Sequence, residues 1–170
     1  VLNHLASRLG FDYDKNGDIA KNAQPNNYLL EKLNRLEYYK KPAPKSLGFE
    51  WVNEKIFPLL KNSDILTEEL LRTFTEHIAF QISNHISHSE KVLFTGGGTH
   101  NTFLMERIKA LSNTEVIIPD KETIDFKEAL IFAFLGVLRW RNDVNTLKSV
   151  TGSNSDNIGG CIYNKSEATL

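Results

Sequence analysis

The sequence has one cysteine, Cys161, among 170 residues. No disulfide can form within the chain, and nothing argues for an oxidising compartment. No apolar run is long enough to cross a bilayer. No basic stripe is present: the net charge is −1, with both signs spread along the chain, which argues against nucleic acid as a partner. There is neither an internal repeat nor a low-complexity segment. Val1-Leu2-Asn3-His4-Leu5-Ala6-Ser7-Arg8-Leu9-Gly10 lacks a basic leader and is broken by polar residues, so it is no signal peptide. An initiator methionine is also missing. The chain opens inside a helical pattern, with Leu2, Leu5 and Leu9 on one face, and reads as a piece of a longer protein.

What remains is 41% hydrophobic and 24% charged, the composition of one ordinary domain with a real core. A single domain over residues 1–170 is expected: residues 1–90 form a mainly helical cover, and residues 91–170 form an α/β part.

Within the first part, Asp12, Asp14, Asn16, Gly17 and Asp18 resemble the start of a calcium loop, but Ala23 stands where the last ligand is needed. A polar turn is the better reading. Pro25-Asn26-Asn27 starts a helix whose apolar face is Tyr28, Leu29, Leu33 and Leu36. The prolines between Tyr38 and Gly48 predict an extended segment. Phe49–Phe57 predicts a short helix stopped by Pro58. Thr67 caps a long helix with the stripe Leu71, Phe74, Ile78, Ile82 and Ile86. His77, His85 and His88 lie on it. His85 and His88 share a face, yet nothing else with ligand spacing supports a metal, so no metal site is expected and the histidines read as solvated or core-edge groups.

From Lys91 the pattern alternates. Strands are expected over 91–95 and 115–118, and helices over 101–111 and 125–141. The last helix is apolar almost all round, from Phe126 to Trp140, and is expected to be buried between layers. Ser149–Gly152 and Ile158–Tyr163 predict a loop and a short strand. Parallel strands with helices between them make an α/β sandwich.

Chemistry concentrates in Val92-Leu93-Phe94-Thr95-Gly96-Gly97-Gly98-Thr99-His100-Asn101. A strand that stops at three glycines and restarts as a helix aims bare N–H groups and a positive helix pole at one spot. The missing Cβ atoms let a ligand approach the main chain. The plainest reading is a tight turn. A dinucleotide loop is a second: Gly96 and Gly98 fill two of its glycine positions and Asp120 stands where an acid binds ribose, but Asn101 is too large for the third. An adenine-nucleotide loop of the actin-like, sugar-kinase type is a third, with Gly96, Gly97, Gly98 and Asn101 as nucleotide-binding residues. His100 beside the loop reads as a surface turn position.

Four stretches together resemble the anhydro-N-acetylmuramic acid kinase family. Phe94–Met105 resembles its glycine-triplet, Asn, Leu-Met segment, and Asp125–Leu135 its Glu-Ala-x-x-Phe-Ala-x-Leu helix. Ser149-Val150-Thr151-Gly152 with Gly159-Gly160 resembles its C-terminal signature. Asp12–Gly17 with Leu47–Trp51 resembles the segment leading into its second lobe. The resemblance implies the C-terminal lobe of an actin-like (ribonuclease H-like) ATPase fold: an α/β sheet with flanking helices and a helical N-terminal part. It implies a cytoplasmic, homodimeric enzyme of peptidoglycan recycling. Such an enzyme uses ATP, Mg²⁺ and water to open the 1,6-anhydro ring of anhydro-N-acetylmuramic acid and phosphorylate O6.

Of the residues here, the resemblance makes Gly96, Gly97, Gly98 and Asn101 nucleotide-binding and Glu128 sugar-binding, the latter in the first turn of a helix where the dipole favours a carboxylate. Lys127 beside it reads as solvated. The family's Gly-Thr-Ser-x-Asp-Gly phosphate loop and its catalytic Asp do not occur in the sequence, so no catalytic residue is assigned and the chain alone is expected to be inactive. A nucleotide-binding or interaction module without chemistry is the alternative.

Overall fold

In a computed structural model, the structure describes residues 1–42, 44–61 and 64–163. The chain forms two compact units, one over Val1–Pro119 and a second beginning at Asp120.

The first unit is built on a long helix. Helices α1 (Leu2–Ser7), α2 (Asp18–Asn22), α3 (Asn27–Asn34) and α4 (Glu37–Lys40) lead to an irregular helix. That helix comprises α5 (Phe49–Trp51), a wide π turn over Val52–Ile56 and α6 (Phe57–Lys61). Pro58 does not end it. The proline falls in the first turn of α6, just after the widened turn, where a missing N–H is tolerated. Helix α7 (Thr67–Ile86) follows. Strand β1 (Lys91–Leu93), helix α8 (Thr102–Leu111) and strand β2 (Glu115–Ile117) complete the unit.

The two strands pair in parallel, Val92 opposite Val116. Phe94 N–H to Ile117 O (2.9 Å) and Glu115 N–H to Glu90 O (3.0 Å) extend the ladder at its ends. A parallel pair needs a crossover, and α8 provides it. The fold is thus mixed α/β, mostly helical, with a small parallel sheet.

Helix α7 joins two apolar clusters. Its first half contributes Leu70, Leu71 and Phe74 to a core with Leu5, Ala20, Leu29, Leu33, Ile56, Leu60 and Phe103. Its second half sets Ala79, flanked by Ile78, Ile82 and Ile86, against Leu104, Met105 and Ile108, with Phe94 and Val116 behind them. The predicted stripe is therefore real, and α8, like α7, contributes to both clusters.

Several expectations need correction. Thr67 is not the cap of α7: Leu66 holds that position and among the described residues no side chain caps it, while Glu68 and Glu69 in the first turn complement the helix dipole. Tyr28 points to solvent, and only Leu29 and Leu33 of α3 are buried. Tyr38 and Tyr39 belong to the helical turn α4, so the proline-rich segment is extended only beyond it; Ala43 lies outside the described residues. His77 is fully buried, not core-edge.

The second unit holds α9 (Lys121–Trp140) and a short helix α10 (Lys148–Thr151). Val150 sits on α10, and an isolated antiparallel bridge, Thr146 to Asn157, replaces the strand expected over 158–163. Asn145 ties this return to α9: its Nδ2 donates to Leu135 O (3.3 Å) and Gly159 O (3.1 Å), and its Oδ1 accepts from Gly159 N–H (2.7 Å). Helix α9 is not buried all round. Phe126, Leu130, Phe132, Phe134 and Trp140 are exposed, because a helix with apolar residues on every face needs partners on every face, and a short return covers only one.

Candidate functional site

The glycine turn lies between β1 and α8. Gly96 adopts φ 91°, ψ 166°, a conformation open to glycine alone. Its carbonyl accepts from Thr99 N–H (3.0 Å) and from Thr99 Oγ1 (2.7 Å). Thr99 is buried, so this pair of hydrogen bonds anchors the near end of the turn. A single 3₁₀ turn over Gly97–His100 follows.

Asn101 anchors the far end. It is the cap of α8, its Oδ1 accepting from Leu104 N–H at 2.9 Å. Its carbonyl accepts from Met105 N–H (3.1 Å). Between the anchors, Gly97 and Gly98 are exposed, and a Cβ on either would meet nothing within 4 Å. Among the described residues neither N–H has a backbone acceptor. Two unpaired N–H groups next to the positive end of a ten-residue helix form a bare cradle for an anion.

The structure thus brings Gly96, Gly97, Gly98 and Asn101 together in one turn. It also distinguishes what each does for the turn. Left-handed backbone is required at Gly96 and not at Gly97 or Gly98. Asn101 spends its oxygen on the helix cap, which explains why a large polar residue stands there. Asp120, the candidate ribose acid of the dinucleotide reading, caps α9 instead. Its carboxylate accepts from Thr123 N–H and Thr123 Oγ1, both at 2.9 Å. These bonds, the backbone one first, hold its carboxyl below the usual value.

Glu128 lies in the second unit, on α9. That helix begins at Lys121, so Glu128 stands two turns inside it; Glu122 is the first-turn acid. The dipole argument for Glu128 therefore falls, although its carboxylate is exposed and open to a ligand. Lys127 beside it is half-buried. Among the described residues no group of three or more His, Cys, Asp or Glu side chains could hold a metal ion. His85 directs Nδ1 to Gln81 O at 2.8 Å.

Sequence reasoning missed the support beneath the turn. The stretch that resembles a calcium loop packs against the start of α8. The buried Asp14 carboxylate accepts from Ile19 N–H (2.9 Å) and Ala20 N–H (3.0 Å). Gly17 presses on Asn101 and Phe103, and Asn16 O accepts from Thr102 Oγ1 at 3.1 Å. The Asn16-Gly17 dipeptide, a left-handed turn signal, was the legible sign of it.

A second brace joins α2, α7 and α8. Glu76 is buried between Arg72 (2.9 Å) and Arg107 (2.8 Å). Arg72 also donates to Lys21 O (3.3 Å) and Ala23 O (3.1 Å), and its guanidinium lies 4.8 Å from the Phe103 ring centre.

Comparison with known proteins agrees in extent. A family model described as "Anhydro-N-acetylmuramic acid kinase" matches residues 3–165. A protein of that name from Photobacterium profundum is 34% identical, over 91% of this chain and 45% of its own length. One from a Sulfurovum species is 35% identical, over 94% of this chain and 45% of its own length. One from Sulfurimonas denitrificans is 31% identical, over 91% and 46%. The chain spans less than half the length of these curated relatives.

Proposed function

The chain belongs to the anhydro-N-acetylmuramic acid kinase family, and from that premise we propose that it is the C-terminal, nucleotide-holding lobe of such a kinase, with the actin-like architecture its resemblance implies. The carrying observation is the turn Gly96–Asn101, where a parallel strand meets a capped helix and, among the described residues, the Gly97 and Gly98 N–H groups have no backbone acceptor. A family whose relatives are named kinases implies ATP as phosphoryl donor, and this turn suits its phosphates or ribose.

In the complete enzyme, water adds its oxygen to C1 of 1,6-anhydro-N-acetylmuramic acid as the C1–O6 bond breaks. O6 takes the γ-phosphoryl group of ATP, ADP leaves, and the water protons pass to solvent and the new hydroxyl. Three roles fall to this chain's residues. Gly97 and Gly98 donate N–H bonds to the nucleotide, Asn101 keeps the helix end in place, and the exposed Glu128 carboxylate accepts from sugar hydroxyls. Magnesium bound with the nucleotide would neutralise charge on the ATP phosphates; among the described residues no group of three or more His, Cys, Asp or Glu side chains is gathered to hold it. The enzyme works in the cytoplasm, as a homodimer.

The test is a coupled ADP-release assay on the full-length kinase carrying this segment, with the product identified by mass. The expected result is ADP release that depends on the anhydro sugar and yields N-acetylmuramic acid 6-phosphate. Sugar-independent release, or a product that keeps its anhydro ring, overturns the proposal.

A further inference from the structure

Resting on the nucleotide reading of the glycine turn, we infer that Asn16 and Gly17 are positioning residues that fix where the turn presents its N–H groups. At Gly97 and Gly98 a Cβ would touch nothing, and the hold on Gly98 comes from Asn101, whose N–H donates to Gly98 O at 3.2 Å. The aim of the turn is set by its two anchors. Thr99 is one. The other is the pair Asn101 and Thr102, and both of these rest on the Asp14–Gly17 turn.

The contact is close and specific. Gly17 is buried and left-handed, at φ 77°. A Cβ there would fall 2.3 Å from Asn101 Oδ1 and 2.8 Å from Phe103 Cβ. Asn101 Oδ1 is the atom that caps α8. So the empty space at Gly17 is what lets Asn101 reach Leu104 N–H. Asn16 is itself left-handed, at φ 56°, and that conformation turns its carbonyl to Thr102 Oγ1.

The supporting turn is tied at both ends. Asp14 locks it to α2, and α2 is tied to α8 by Lys21–Glu106 at 2.9 Å. A site held to sub-ångström precision needs such a backing. The acidic residues that suggest a cation loop do different work: Asp14 is already committed to two N–H groups.

The test uses the full-length kinase and varies ATP and the sugar separately. Thr102 is exposed, so Thr102→Val removes only its hydroxyl bond and leaves packing intact. It should raise the KM for ATP about three- to tenfold, with kcat, the sugar KM and the melting temperature near wild type. Thr102→Ser should restore the ATP constant. Gly17→Ala should raise the ATP KM further and also lower the melting temperature, because of its positive φ and the Phe103 Cβ 2.8 Å from the new methyl group; pairing it with Asn101→Ser, which removes the closer contact, should recover part of the ATP loss. Gly97→Val is run alongside. If it raises the ATP KM while Thr102→Val does not, the Asn16–Gly17 turn is structural only and the inference fails. If Gly97→Val itself leaves the ATP KM unchanged, the nucleotide reading has failed and the inference falls with it.

Discussion

At the scale of single residues, the three glycines are not equivalent. Gly96 needs its positive φ, so Gly96→Ala should destabilise the protein by about 1–3 kcal/mol through backbone strain. Gly97 has ordinary backbone and open space around its Cβ position. Gly97→Val should therefore leave the melting temperature within a few degrees while raising the KM for ATP, because the added carbons stand where the ligand approaches. Thermal melts paired with steady-state kinetics separate the two effects. Glu128→Gln keeps size and removes charge on an exposed position of α9. If its carboxylate accepts sugar hydroxyls, catalytic efficiency toward the anhydro sugar should fall about ten- to a hundredfold with the ATP constant unchanged. Wild-type efficiency toward the sugar would return Glu128 to a solvated helix charge.

At the scale of elements, α7 carries a polar network inside its apolar surroundings. Asn34 Oδ1 on α3 accepts from His77 Nδ1 (2.6 Å) and Gln81 Nε2 (3.0 Å), which leaves His77 Nε2 to accept from the Tyr39 hydroxyl of α4 at 2.9 Å. Burial pushes His77 down to about 4 from its ordinary 6.5. The unfolded chain therefore takes up this proton first as pH falls. Stability from this group is intact above 6.5 and is lost progressively toward 4, by about 3 kcal/mol in full. Urea titrations of wild type and His77→Gln at about pH 7, above that window, and at about pH 4.5, near its lower end, check this: the gap between them should narrow at the lower pH.

The same helix shows what was legible beforehand. Its apolar stripe was, because 3.6-residue periodicity follows from packing on one side. The burial of His77 was not, since it depends on Asn34 and Tyr39 arriving from distant helices. Likewise the strand–turn–helix unit at Gly96 was readable from local residue types. Its brace at Asn16 and Gly17 was hidden, because the contact joins residues 86 positions apart. Helix α9 was misjudged for a related reason: an apolar sequence states that a face needs cover, not where the cover comes from.

At the scale of the whole molecule, the sequence carries the glycine turn but not the Gly-Thr-Ser-x-Asp-Gly phosphate loop that the family resemblance calls for. The purified 170-residue chain should thus release no ADP above background with the anhydro sugar. Turnover by it would relocate the chemistry into this lobe. The tie between Lys21 and Glu106, 85 positions apart, also reaches back to synthesis. A ribosome adds about 5–20 residues per second, so α2 leaves the ribosome roughly 4–17 seconds before α8 exists to receive it. For that interval Ala20 and its apolar neighbours have no Phe103 to pack on. The nascent chain is then a target for holding chaperones, and slowing translation between these two segments should cost soluble yield even when the finished sequence is unchanged.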